Sequence, residues 1–267
     1  VPKPARRRLD LAVAQQLDIS RTKAQALILE GKVRVNGEPH VKAGELVAVD
    51  AALEIEPEER YVSRGGAKLE RALDEFGWSP AGLRALDVGA STGGFTDCLL
   101  QRGAASVAAV DVGYGQIAWT LRNDPRVTVF ERCNFRHATV EQLGGPFEFA
   151  SADVSFISLA TIAPALAAML APQARCVALI KPQFEAGRLW VKRGGVVRDP
   201  QGQIEAIEMA SRALATQGLV PQRLTFSPLL GPAGNIEFLL GAERGDAPPT
   251  ALDAAGVVRK AHETLGQ

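Results

Sequence analysis

Apolar positions in the first fifty residues recur at helical spacing and then at strand spacing. Leu9, Val13 and Leu17 stand at i, i+4 and i+8, which predicts one helix with a narrow apolar stripe. Ser20 is placed to cap a second helix running through Ile28, with Ala24, Leu27 and Ile28 inward and Gly31 at its end. Val33–Val35, the Asn36-Gly37 turn and Leu46–Val49 predict short strands. Together they predict a small α+β domain over residues 1–56. The stretch from Glu54 to Val62, acidic at Glu54, Glu56, Glu58 and Glu59, reads as linker, with the boundary segment drawn at 57–62.

From Ser63 the pattern changes. Leu69, Ala72, Leu73 and Phe76 predict a helix that Gly77 stops. Short apolar runs then alternate with helical ones: a run ending in Asp87, a helix over 95–102, and strands at Ser106–Val110 and Val127–Phe130. Further strands follow at Phe149–Asp153, Cys176–Lys181, Leu224–Phe226 and Ile236–Leu240, with helices at 159–170 and 202–217. Alternation of this kind predicts an α/β fold, a Rossmann-like doubly wound sheet over residues 63–245. The last two strands, with Pro228 to Gly234 between them, predict an antiparallel edge. Residues 246–267 form a Pro- and Ala-rich tail with a weak helical pattern at 251–265.

Composition narrows the class. Hydrophobic residues make up 46% of the 267 and mean hydropathy is near zero, as in a globular protein with ample core. The longest nearly uncharged stretch, Leu159–Pro172, is too short to span a membrane and contains Pro164. With no charged-then-apolar leader, the expectation is a cytoplasmic protein without a membrane partner. Cys98, Cys133 and Cys176 lack metal-ligand spacing and only three histidines accompany them, so no metal site is expected. The zero net charge conceals a basic head: residues 1–42 hold nine basic residues against four acidic ones. Such a head fits a phosphate backbone.

Candidate chemistry sits at the strand ends. Asp87-x-Gly89-x-x-x-Gly93-Gly94 opens a helix at Phe95–Thr96 but departs from the Gly-x-Gly-x-x-Gly spacing that holds a pyrophosphate. An acid at the strand end suits a cofactor without phosphate and with a cationic tail, S-adenosylmethionine. The loop therefore supplies Asp87, Gly89, Ser91, Gly93, Gly94, Phe95 and Thr96 as candidate cofactor residues. Asp111 closes the next strand at the interval where such folds place a carboxylate on ribose hydroxyls. Asn134 and Phe135 follow the third strand, placed for an adenine edge and ring. The fourth and fifth strands deliver Asp153 and Lys181. Lys68 lies in the first turn of the preceding helix and Glu237 on the last strand.

Arg8-Leu9-Asp10, Ser20-Arg21-x-x-Ala24 and Leu27-Ile28-x-x-Gly31-x-Val33-x-Val35-Asn36-Gly37 resemble the alpha-L RNA-binding domain. The resemblance covers residues 6–50 and implies that Arg7, Arg8, Arg21, Lys23, Lys32 and Arg34 lie along an RNA backbone. Lys68, Asp153, Lys181 and Glu237 match the Lys-Asp-Lys-Glu set of ribose 2′-O-methyltransferases related to FtsJ. Asp153-Val154-Ser155-Phe156-Ile157-Ser158-Leu159, Lys181-Pro182-Gln183-Phe184-Glu185 and the glycine-rich Gly194–Pro200 stretch narrow this further. From about residue 6 to 242 the chain is similar to the TlyA family of rRNA cytidine 2′-O-methyltransferases, often labelled hemolysin A. The family's linker motif, usually Arg-x-Trp-Val, stands here as Glu59-Arg60-Tyr61-Val62.

The resemblance implies S-adenosylmethionine as methyl donor and rRNA in ribosomal subunits as acceptor. The short N-terminus favours the large subunit. The tetrad would be catalytic, with Lys181 acting on the hydroxyl, Asp153 orienting a lysine, and Lys68 and Glu237 holding Lys181 and the substrate. Phe156 would stack on a base turned out of its helix, and Arg64, Arg136, Lys192 and Arg193 would add phosphate contacts. Three other readings stand beside this one: an RNA-binding ribosome-assembly factor without catalysis, a membrane-damaging hemolysin, and a small-molecule or protein methyltransferase.

Overall fold

A computed structural model describes residues 5–56, 60–192, 194–246, 248 and 250–266. Glu58, Glu59 and Arg193 fall outside the described residues, as does part of the segment 57–62. The chain divides into two compact units, Val1–Glu58 and Glu59–Gln267.

In the first unit, β1 (Arg6–Arg8) leads into α1 (Leu9–Leu17) and α2 (Arg21–Leu29), followed by β2 (Val33–Val35), β3 (Glu38–Pro39), β4 (Leu46–Ala48) and β5 (Leu53–Ile55). Ser20 accepts a hydrogen bond from the Lys23 amide (3.3 Å), satisfying an otherwise orphaned N–H of α2. Asn36 and Gly37 both take positive φ, 52° and 85°, the conformation a tight hairpin between β2 and β3 requires. Leu9, Val13, Ala24, Leu27, Ile28, Val33, Val35 and Val47 form the core. Leu17, expected to continue the stripe, is exposed: α1 ends there, and Asp18 turns the chain left-handed. The linker reading at Glu54 is also corrected. Leu53–Ile55 is a strand paired antiparallel with Val33–Val35, its place fixed by a long-range pairing that local composition does not reveal.

The second unit begins with α3 (Gly65–Phe76), β6 (Arg84–Val88), α4 (Gly94–Gln101), β7 (Ser106–Val110), α5 (Trp119–Arg122) and β8 (Val127–Phe130). It continues through α6 (Val140–Leu143), β9 (Phe147–Ala152), α7 (Leu159–Met169), β10 (Leu170–Ile180), α8 (Pro182–Glu185) and α9 (Pro200–Ala215). It closes with β11 (Leu219–Phe226), β12 (Phe238–Arg244) and α10 (Ala254–Leu265). Seven strands form one sheet in the order β11-β12-β10-β9-β6-β7-β8. The central pairs are parallel, and β12 runs antiparallel to both β10 and β11.

Successive residues of the inner strands feed opposite faces. Phe238 and Leu240 join the core under α7 and α9, whereas Leu239, Val177 and Leu179 join the core under α3 and α4. A sheet covered on both faces needs apolar residues at every position, which is why its strands read as continuous apolar runs. Strand order reverses between β6 and β9, the switch point where such sheets bind ligands beyond their carboxyl ends. Among the described residues no helix is long and apolar enough to cross a membrane.

Candidate active site

The loop after β6 is shaped by what it must avoid. Gly89 has φ 82°, and a Cβ there would run into the carbonyl oxygen of Asp153 on the neighbouring strand end. Gly93 (φ 100°) leaves room for the Leu121 side chain. A Cβ on Gly94 would strike Ser63 Oγ just before α3. The glycines therefore bring the backbone of the first loop against β9 and α3 at the switch point.

Two adjoining cavities result. The first, about 360 Å³, is lined by Gly89, Ser91, Asp111, Asn134, Phe135, Asp153 and Phe156. The second, about 480 Å³, shares Gly89, Ser91 and Asp153 with it and adds Arg64, Lys68, Gly94, Phe95 and Leu230. Asp111 accepts the Ser91 amide on Oδ2 (2.8 Å) and the Gly113 amide on Oδ1 (2.7 Å). Each oxygen keeps a lone pair, so the carboxylate is a rigid bidentate acceptor at the cavity wall. Asn134 Oδ1 accepts the Arg136 amide (3.2 Å), capping the turn Phe135–His137, and Phe135 is buried under it.

Asp87 and Thr96 are not at this wall. Asp87 is fully buried and accepts from Thr96 Oγ1 (2.7 Å) and Ser151 Oγ (2.8 Å), joining β6, α4 and β9. Burial pushes its pKa up to about 6, against the pull of the two hydroxyls. The expectation that both residues contact cofactor is corrected: their polar atoms are spent inside the sheet, bracing the loop from below. The motif shows an acid at the strand end but not which way it points.

The four ionisable residues form two ion pairs. Lys181 Nζ lies 2.6 Å from Asp153 Oδ1 and donates to Ser155 Oγ at 2.7 Å. Lys68 Nζ donates to Glu237 Oε2 at 2.6 Å, and both side chains are buried. Glu237 Oε1 has no hydrogen-bond partner among the described residues. The expected grip of Lys68 and Glu237 on Lys181 is replaced by a grip on each other. Ser155 was missed by sequence reasoning, although it stands two residues beyond Asp153.

Phe156 is 88% exposed with φ 66°, and its ring centroid lies 5.3 Å from that of Phe184. A bulky residue held left-handed is strained, and among the described aromatic side chains only the Phe184 ring packs against it. Arg64 donates to the Leu230 carbonyl (3.1 Å) at the rim of the second cavity. Of the linker motif, Tyr61 is buried against Gly66, where a side chain would collide with its ring, and the Val62 amide donates to Asp97 Oδ2 on α4 (2.9 Å).

In the first unit, Arg8 donates Nε and Nη2 to Asp10 (3.0 and 2.9 Å), and Arg21 Nε adds a third bond to the same buried carboxylate (2.9 Å). Both arginines thus hold their own domain together, keeping about half of each side chain in solvent. Arg7 bonds Gln15, Lys32 pairs with Glu30, Arg34 donates to the Gly37 carbonyl, and Lys23 is exposed in the first turn of α2.

A seven-stranded sheet with a glycine loop at its switch point and two lysine–carboxylate pairs fits the class that the family match shows, an S-adenosylmethionine-dependent methyltransferase. Residues 61–244 match the family model of the FtsJ-like methyltransferases, and residues 7–51 that of the S4 domain. Within that class, the chain belongs to the TlyA family. It is 45% identical over 265 residues, 98% of each chain, to the 16S/23S rRNA (cytidine-2′-O)-methyltransferase TlyA of Mycobacterium tuberculosis. It is 31% identical to the 23S rRNA (cytidine-2′-O)-methyltransferase TlyA of Campylobacter jejuni, over 86% of this chain and 97% of that one. A solved Streptococcus thermophilus structure described as a candidate hemolysin superposes with a TM-score of 0.77 at 42% identity, covering 98% and 97% of the two chains.

Proposed function

We propose that this chain transfers the methyl group of S-adenosylmethionine to the ribose 2′-hydroxyl of a cytidine in ribosomal RNA. Large-subunit rRNA is the first substrate to test and small-subunit rRNA the second, since the Mycobacterium relative matched over its whole length is named for both. The observation that carries this reading is the pair of lysine–carboxylate contacts, Lys181–Asp153 and Lys68–Glu237, set beside a cavity that the glycine loop and Asp111 shape.

The residues present fit the cofactor: Gly89 leaves backbone room, Asp111 offers two oriented acceptors for ribose hydroxyls, and Asn134 offers an amide to an adenine edge. When bound, S-adenosylmethionine supplies an electrophilic methyl on a sulfonium. A ribose hydroxyl is a weak nucleophile whose pKa lies far above neutrality. Lys181, fixed by Asp153 and Ser155, presents an ammonium that stabilises negative charge developing on that oxygen as the hydroxyl proton leaves to solvent. Lys68, which lines the second cavity, is held in place there by Glu237. Holding nucleophile and methyl in line is worth ~7–11 kcal/mol in well-oriented systems, and a donor aimed at the developing charge a further ~10²–10³-fold. Phe156, exposed at the mouth of the first cavity, stacks on a base turned out of its helix. In the first unit Arg7, Lys23, Lys32 and Arg34, with the solvent-facing edges of Arg8 and Arg21, meet the RNA backbone.

Incubation of purified ribosomal subunits with labelled S-adenosylmethionine, followed by nucleoside analysis, tests the reading. Label in 2′-O-methylcytidine is expected, and Lys181→Ala should lower turnover by ~10²-fold or more. A variant within a few-fold of wild type removes Lys181 from the chemistry.

A further inference from the structure

The loop after β7 presents an exposed aromatic side chain that the chemistry above does not use. Tyr114, between Gly113 and Gly115, is 68% exposed. The Arg132 guanidinium lies over its ring, 4.3 Å from the centroid. Arg132 itself has φ 53°, a left-handed conformation that non-glycine residues keep only where their surroundings impose it.

Those surroundings are specific. The Arg132 amide donates to the Gly113 carbonyl (2.9 Å), and the Gly115 amide donates to Glu131 Oε1 (2.6 Å). Glu131 is in turn gripped by Arg122 (2.5 Å). The Gly113 amide donates to Asp111, the acid of the cofactor cavity, and Cys133, next to Arg132, lines that cavity. Two loops from adjacent strands are therefore stitched together to hold one aromatic–cation stack in water, beside the cavity that Asp111, Val112 and Cys133 line. Trp119, the first residue of α5, is 76% exposed.

We propose that Tyr114 and Arg132 form a stacking platform for an unpaired rRNA base neighbouring the target cytidine, with Arg132 also facing its phosphate. This rests on the RNA reading above. Splayed RNA bases stack on tyrosine rings and on guanidinium planes, and every base offers a π-face. Arginine additionally pairs with phosphate through its N–H edge while its plane stays stacked. A polyanion carrying flat rings complements this surface in both charge and shape. Phe156 serves the target base itself; the Tyr114–Arg132 stack serves a neighbour, so it governs capture of the RNA and leaves the chemistry to the ion pairs.

The test uses the full chain with purified ribosomal subunits. It measures subunit affinity by filter binding, KM and kcat for methyl transfer, and S-adenosylmethionine affinity by calorimetry. Tyr114→Ala is expected to weaken subunit binding and raise KM five- to twenty-fold, with kcat and cofactor affinity within two-fold of wild type. Tyr114→Phe keeps the ring and should restore wild-type binding; Arg132→Ala should weaken binding similarly and reduce its salt dependence. Unchanged subunit affinity in both alanine variants overturns the platform while leaving the methyltransferase reading intact. A loss of cofactor affinity without loss of subunit affinity also overturns it, making the loop a cover for the cofactor. Absence of methyl transfer by the wild type would overturn the function proposed above, and the binding arm would still decide whether this surface holds RNA.

Discussion

At the residue scale, close approach and burial set what each side chain does. Gly89→Ala would force both a positive φ and a collision with the Asp153 carbonyl, so cofactor binding measured by calorimetry should be lost. Asp87 gives a pH signature. Its folded pKa of about 6 stands above the ~3.9 of an unfolded aspartate, so the folded state keeps a proton that the unfolded chain releases. Stability from this group is fully present below pH ~4 and is lost as pH rises through about 6. Denaturant unfolding at pH 4.5 and pH 7 should show wild type losing roughly 1–3 kcal/mol relative to Asp87→Asn across that window. Asp87 was visible in the sequence as the acid of a glycine motif. Its partners were not, because Thr96 and Ser151 meet it only when α4 and β9 pack beside β6.

At the scale of elements, the same distinction holds. The α2 cap and the Asn36-Gly37 turn are local and were legible; β5 and the inward side of α10 were not. A hydrogen-bond chain joins α10 to the active-site wall. His262 bonds Gln203 Oε1 (2.9 Å), Gln203 Nε2 donates to the Val197 carbonyl (2.9 Å), and the Val197 amide donates to Asn235 Oδ1 (2.9 Å). Asn235 Nδ2 donates to the Gly195 carbonyl, and Glu237 stands two residues further on. Asn235→Ala is expected to lower kcat about ten-fold with cofactor affinity unchanged, since it frees the segment carrying Glu237 at a cost of ~1–3 kcal/mol for the groups left unpaired. Steady-state kinetics beside calorimetry would check it. In the first unit, Arg8 and Arg21 hold the Asp10 carboxylate well below the usual carboxylate range. Its contribution is present above the unfolded pKa and is lost as pH falls into the acid range. Asp10→Ala should destabilise that unit by about 3 kcal/mol, near the low end for breaking a buried ion pair because both arginines keep solvent access; thermal unfolding would report it.

At the scale of the whole molecule, the neutral chain has a basic head, with nine basic residues against four acidic ones over residues 1–42. Replacing Lys23 and Arg34 together by alanine is expected to weaken subunit binding with cofactor affinity unchanged. The logarithmic salt slope should flatten by about 0.7–0.9 for each phosphate that is no longer neutralised. A salt titration of subunit binding checks this. Local spacing along the chain was enough to dictate the alternation of strands and helices, the glycine loop, the basic head, and Asp153 and Lys181 at strand ends. Periodicity and backbone sterics translate such spacing directly into structure. The choice of partners came from the folded arrangement alone. Lys68 and Glu237 are 169 positions apart, and Lys181 takes Asp153 and Ser155 as its partners. Asp87 turns inward to Thr96 and Ser151. Pairing over such separations depends on how the sheet orders its strands and which face each side chain meets, and neither is encoded in the residues next to it.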